Sequence, residues 1–347
     1  MKVARLYAPG RLVLEIDPDP EPGPGELVIR VRACAVCGTD VKIFRHGHPH
    51  LVLPRVLGHE VAGEVVAWGD GVDGWSLGDR VQVIAAIPCG ECLYCQRQLF
   101  TVCERLESIG YHYDGGFATF MRIPAKVLRQ GGVHRIPSSV SDEVAALAEP
   151  LACVLNGQEQ AGVGPEDTVA ILGAGPIGCM HAWLARARGA RRIYLIDIDP
   201  TRLQMAAERV APDAAVCAAE KDPALEIDRL TDGRGADVVI VAAPSAQAVE
   251  QAIVIASRRG RICLFAGLPK DQAIVSCDVN RIHYRELTVV GAYGSTPAQN
   301  RAALELIAQG QVPVERLITH RFPLEEIHKG IHAAAHGKAL KVVIFPA

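Results

Sequence analysis

The chain of 347 residues has no excess of charge of either sign: 36 lysines and arginines stand against 39 aspartates and glutamates, a formal charge of -3. Nothing in that balance would hold the whole surface against nucleic acid or anionic lipid, and a small uncharged ligand suits it better. Long apolar runs are missing too. The opening segment MKVARLYAPGRLVLEIDPDP is interrupted by Arg5, Pro9, Arg11 and Glu15, unlike the core of a signal peptide, and no stretch approaches the roughly 18 apolar residues of a membrane span. Repeats and low-complexity tracts are likewise lacking. The expectation is a cytoplasmic protein with no membrane and no nucleic-acid partner. In that compartment its 11 cysteines stay reduced, which directs attention from disulfides to metal binding and thiolate chemistry.

At this length one hydrophobic core is exceeded, and two domains are expected. Residues 1 to about 145 carry short β-branched runs (LVIRVRACAV, HEVAGEVVAWG, DRVQVIAA) separated by turn pieces, the pattern of a compact, barrel-like β module. From about residue 165 strands and helices alternate, which predicts a parallel sheet covered on both faces. The predicted strands are 168–172, 191–197, 236–243, 260–267 and 287–293, with helices between them. The tail holds one more helix and a last apolar strand, too little for a third domain, and is expected to pack back on the first. The fold class is therefore α/β, with domains at 1–152 plus 294–347 and at 153–293.

Gly173, Gly175 and Gly178 follow the predicted strand TVAIL and open a helix, the context in which a glycine pattern binds a dinucleotide. Gly173 allows the tight turn, Gly175 lets the backbone approach a pyrophosphate, and Gly178 lets helix and strand pack closely. Pro176 suits the first helical position, and with Ile177 it completes the fingerprint. Asp197 ends the next predicted strand, 19 residues after Gly178. A carboxylate there accepts hydrogen bonds from ribose hydroxyls and repels a 2′-phosphate, which favours NAD over NADP. Arg202, on the following helix, is placed to reach the adenosine region or else to be solvated.

Cys89, Cys92, Cys95 and Cys103 fall within fifteen residues. Four thiolates so spaced are the ligand set of a closed structural zinc site, which holds a loop and does no chemistry. Cys37 in ACAVCGTD and the pair His59-Glu60 in VLGHEVAGEV are dispersed and, taken singly, carry little.

Together, however, Cys37-Gly38-Thr39-Asp40, Gly58-His59-Glu60, the four-cysteine lobe, Glu149-Pro150-Leu151 and the glycine fingerprint stand in the order found in zinc-dependent medium-chain dehydrogenases. The chain most resembles the sorbitol (L-iditol), inositol and threonine dehydrogenase group, over essentially its whole length. The resemblance implies a GroES-like catalytic domain beside a Rossmann domain. It also implies a catalytic zinc on Cys37 and His59, with Glu60 and Glu149 as carboxylates that ligate the ion or hold its water. The activity implied is transfer of hydride from a secondary alcohol of a polyol or cyclitol to NAD, or, as the alternative, from L-threonine or another amino-alcohol. A catalytically silent scaffold of the same fold is a further alternative.

Thr39 matches the hydroxyl that hydrogen-bonds the reacting oxygen, and Phe120 resembles an apolar wall of the substrate pocket. Two departures stand out. Lys42 occupies a place where relatives often carry histidine, and Gly294 a place where sorbitol dehydrogenases carry arginine. His46, His48 and His50 form a loop cluster with no assigned role. The arginines around 186–192 and 258–261 read as solvated helix ends. The apolar strand LTVVGAY is expected at a sheet edge, where it invites pairing with a second subunit, and a homodimer or homotetramer resembles family practice.

Overall fold

In the strand Leu27–Ala35 the exposed residues are Arg30 and Arg32, and its other positions are buried. That pattern suits a central strand with neighbours on both sides. A computed structural model describes residues 1–49, 51–337 and 339–346, so His50 of the loop cluster lies outside the described residues. Two compact units are resolved by the contacts within the chain: Met1–Ala152, Gly294–Gly310 and Val314–Ala347 form one, Cys153–Tyr293 and Gln311–Pro313 the other.

The first unit is built on a mixed sheet. Its strands run in the order Val133–Arg135, Arg80–Val83, Glu60–Trp68, Leu27–Ala35, Lys341–Phe345 and Ile318–Pro323, with Phe120–Ile123 also pairing Leu27–Ala35. A smaller sheet joins Arg11–Ile16, Lys2–Ala8 and Arg55–Val56. Leu6, Leu27, Ile29, Phe117 and Ile123 are among the side chains sealed inside.

Register decides what meets at one end of this sheet. Leu27–Ala35 pairs antiparallel with Glu60–Trp68, Ala35 opposite Glu60, and antiparallel with Lys341–Phe345, Ala35 opposite Val343. The Val36 amide then donates to the Val342 carbonyl at 2.9 Å. Residues 37, 59–60 and 341 therefore emerge at one end of three neighbouring strands. A slip of one residue would turn each to the opposite face.

The second unit is a six-stranded, wholly parallel sheet in the order Ala214–Cys217, Arg192–Asp197, Thr168–Leu172, Ala236–Val241, Ala256–Leu264, Thr288–Gly291. The order reverses beside Thr168–Leu172, whose five residues are all buried. That reversal is the topological switch point at which such sheets bind ligands.

The strand Ala214–Cys217 and the helix Pro223–Leu230 after it had no counterpart in the sequence reading. The strand is only four residues of mainly small side chains and lacks the β-branched run that signals a strand. The tail is also richer than expected, adding the strand Ile318–Pro323 and the helix Ile327–Ala335. No helix among the described residues is long and apolar enough to cross a membrane.

Candidate active site and dinucleotide loop

Cys37 caps the helix Gly38–His46 as the chain leaves the strand Leu27–Ala35. Its sulfur, one ring nitrogen of His59 and one oxygen of Glu60 all lie within 4.8 Å of one another. Asp40, 1% exposed, ties these segments together. One of its oxygens accepts the Cys37 amide at 2.9 Å and the other accepts the Gly58 amide at 3.3 Å. That second oxygen faces His59 Nδ1 at 3.4 Å, an electrostatic approach that falls short of a hydrogen bond.

Glu60 is fully buried, and the Lys341 ammonium lies 2.6 Å from each of its oxygens and donates to Oε1. Its Oε2 is held by that ion pair, and His59 Nδ1 faces Asp40 without a hydrogen bond. Held by Asp40 and Lys341, the thiol, imidazole and carboxylate stand close enough together to share one ion. Charge points the same way. Asp40, Glu60 and Glu149 are buried, and among the described residues the one buried ammonium is that of Lys341; a divalent cation offsets the remainder. Burial pulls the His59 imidazole down, but Asp40 and Cys37 outweigh it and raise the ring well above its ordinary range. The donor set of sulfur, imidazole and carboxylate suits zinc.

Glu149 is buried on the first turn of the helix Ala148–Gln160 and lies within electrostatic reach of Lys341, but outside the tight group of three. Thr39 sits half-buried on the first turn of the helix that follows Cys37, and Lys42 is exposed. Phe120 is placed elsewhere: its ring lies 5.7 Å from the Arg30 guanidinium carbon and lines a cavity of about 270 Å³ with Met1, Arg55, Tyr113 and Arg122. None of the Cys37 group lines that cavity. Phe120 pairs with Arg30 in register, well before the end of Leu27–Ala35 that leads to Cys37. Asp40 and Lys341 were missed as site residues. Asp40 stood in the quoted motif, but its 3.3 Å bond to the Gly58 amide spans 18 residues of sequence; Lys341 gave no local signal.

The four sulfurs of Cys89, Cys92, Cys95 and Cys103 also lie within 4.8 Å of one another. Backbone amides point at them: Cys92 and Glu91 toward Cys89 at 3.3 and 3.5 Å, Cys89 and Arg105 toward Cys103 at 3.2 and 3.4 Å. The Glu91 amide leads in pushing the Cys89 thiol down to about 6, while burial pushes Cys95 up to about 12. Amides aimed at sulfur stabilise thiolate, the form that holds zinc. None of the 11 cysteines is in a disulfide.

In the second unit the glycine loop follows the strand Thr168–Leu172. Gly173 has φ +116°, and a β-carbon on Gly178 would stand 1.8 Å from the Gly173 carbonyl oxygen. By contrast, a β-carbon on Gly175 would meet nothing within 4 Å, which leaves backbone open to an approaching group. Pro176 begins the helix Pro176–Ala187, and Ile177 is half-buried in its first turn. The amides at such a helix start suit a pyrophosphate.

Asp197 is 7% exposed at its strand end. It accepts the Ala174 amide at 2.7 Å and the Asp199 amide at 2.9 Å, tying the loop to the neighbouring strand and keeping lone pairs in reserve. Arg202 is drawn to Asp197 and Asp199, at 3.8 and 3.6 Å. Other arginines of the clusters face acids, Arg192 with Asp213 and Arg261 with Asp167.

Comparison with known proteins matches residues 23–137 to the alcohol dehydrogenase GroES-like domain and residues 176–309 to the zinc-binding dehydrogenase family. A sorbitol dehydrogenase of Halalkalibacterium halodurans is 33% identical, over 98% of this chain and 97% of its own. An L-threonine 3-dehydrogenase of Bacillus licheniformis is 33% identical, over 96% and 94%. Among solved structures, a zinc-binding dehydrogenase of Sinorhizobium meliloti 1021 bound to NADP superposes with a TM-score of 0.91 at 34% identity, over 99% of each chain.

Proposed function

Since this chain belongs to the zinc-dependent medium-chain dehydrogenases, we propose that it oxidises a secondary alcohol of a polyol or cyclitol to the ketone, reversibly, with NAD as hydride acceptor. It is an oxidoreductase of the alcohol dehydrogenase kind, and its cofactors are zinc and a nicotinamide dinucleotide. The first unit is read as the catalytic domain and the second as the NAD-binding domain. The observation that carries the reading is the close group of Cys37, His59 and Glu60.

Cys37, His59 and Glu60 would hold the catalytic ion, and Glu149 is the carboxylate in reserve for it. An ion held there would supply Lewis acidity to a hydroxyl, and a dinucleotide on the glycine loop would supply the hydride acceptor. Asp40 orients His59 from its Nδ1 side, which leaves Nε2 for the ion. Lys341 fixes the Glu60 carboxylate, its ammonium 2.6 Å from each oxygen. Thr39, two residues past Cys37, supplies the hydroxyl that passes the substrate proton toward solvent. Cys89, Cys92, Cys95 and Cys103 would hold a structural zinc. NAD is favoured over NADP because Asp197 occupies the strand end, and Arg202 is held by two carboxylates instead of being free to meet a 2′-phosphate.

An amino-alcohol substrate is the second reading, supported by a threonine dehydrogenase relative as similar as the sorbitol one. NAD reduction assayed across polyols, inositols and L-threonine separates the two, and no turnover with any of them at saturating zinc contradicts both. A homodimer or homotetramer is inferred from the edge strand Thr288–Gly291, where Val289 is 42% exposed. Light scattering that finds only monomer would remove that inference.

A further inference from the structure

The helix Ile327–Ala335 and the residue that ends it carry His328, His332 and His336 at successive turns, all three exposed. Residues four apart on a helix lie on one face, one above the other. Between His332 and His336 this spacing has become contact: the ring centroids are 3.9 Å apart and the planes are inclined by 24°. His336 Nδ1 lies 2.8 Å from the His332 carbonyl oxygen. A carbonyl only accepts, so Nδ1 carries the proton and donates, and Nε2 keeps its lone pair. A backbone carbonyl that fixes the tautomer in this way is the usual outer support of a metal-binding histidine.

We propose that His332 and His336 form a chelating site for a divalent transition ion of the zinc, nickel or copper class, separate from both cysteine-bearing groups. Two imidazoles at positions i and i+4 on one helix face are a recurrent ligand pair for such ions. Electrostatics agree, because both residues stand at the C-terminal end of the helix, where the backbone dipole attracts a cation. A nearby ammonium that would compete, that of Lys329, is engaged by Glu326 at 2.8 Å.

The stack brings both imidazoles to one place on the helix face; since an ion lies in the plane of each ring, binding turns the exposed His332 ring out of the stack while the carbonyl holds His336. Two protein ligands leave the remaining coordination positions to water, so the site is open and exchanges its ion readily, unlike a closed set of four thiolates. His328 lies edge-on to Phe44 with centroids 6.4 Å apart, outside the pair, and serves as an internal control.

Nickel is the probe. The full-length, zinc-loaded protein is dialysed to equilibrium against Ni²⁺, and nickel and zinc per chain are both measured. The expected result is nickel uptake with no loss of zinc, falling on acidification because imidazole binds metal only when neutral. His332→Gln and His336→Gln should each weaken uptake by more than about tenfold, since outer-shell partners alone are worth that much. His328→Gln should leave it unchanged. Circular dichroism and alcohol turnover, expected to be unaltered in all three variants, show that they fold. Equal nickel uptake by the double variant and the parent, uptake matched by zinc release, or no uptake at large excess would each overturn the proposal.

Discussion

The ammonium of Lys341 lies 2.6 Å from the carboxylate of Glu60, 281 residues away in sequence, and both groups are sealed from water. Burial alone would lower the Lys341 pKa, but the charges of Glu60 and Cys37 more than offset it and hold the pKa above its ordinary value. Breaking such a pair leaves an uncompensated charge inside. Lys341→Met should therefore cost about 3–5 kcal/mol of unfolding free energy. The double variant Lys341→Met/Glu60→Gln should be more stable than the single one. Urea unfolding of the three proteins checks this, and a single variant as stable as the parent would contradict it.

Asp40 acts on the proposed ion only through His59 and the two backbone amides it accepts. Asp40→Asn should keep the fold and lower zinc affinity at the Cys37 group by about 10–100-fold. Competition with a graded chelator, read as zinc retained per chain, measures the change. The four-cysteine lobe should be unaffected.

Asp197 holds the glycine loop through Ala174 and stands where a ribose hydroxyl would be recognised. Asp197→Ala should raise KM for NAD more than KM for NADP, so that the preference between the two narrows or reverses. Unchanged ratios of kcat/KM for the two dinucleotides would show that Asp197 takes no part in the choice.

Two histidines remote from the proposed chemistry set an acid limit. Burial, helped by Arg188, pulls His181 down to about 3; burial, helped by Arg301, pulls His134 down to about 4. Above about pH 6.5 both rings are neutral in the folded and unfolded chain and add no pH dependence. Below it the unfolded chain takes up protons that the folded chain refuses, and stability falls by up to about 1.4 kcal/mol per pH unit for each ring. His181→Gln should flatten the decline between about pH 6.5 and pH 5. Identical slopes in parent and variant would contradict the assignment.

The sequence made local order legible. The strand Thr168–Leu172, the glycines after it and the four-cysteine lobe are contiguous signals, so the residues that act together are also neighbours in the chain. What it concealed depends on register. Lys341 reaches Glu60 only because Ala35 pairs both Glu60 and Val343, a relation that no window of sequence contains. The strand Ala214–Cys217 was hidden for a different reason: its small side chains take their order from the parallel neighbour Arg192–Asp197 more than from their own propensity. The ring of Phe120 lies beside Arg30, a neighbour set by strand register and not by local sequence.

An anomalous difference map at the zinc absorption edge, from crystals grown with zinc, tests the central claim most directly. The account predicts two strong peaks per chain, one among the sulfurs of Cys89, Cys92, Cys95 and Cys103 and one bounded by Cys37, His59 and Glu60. A single peak, in the four-cysteine lobe alone, would contradict it.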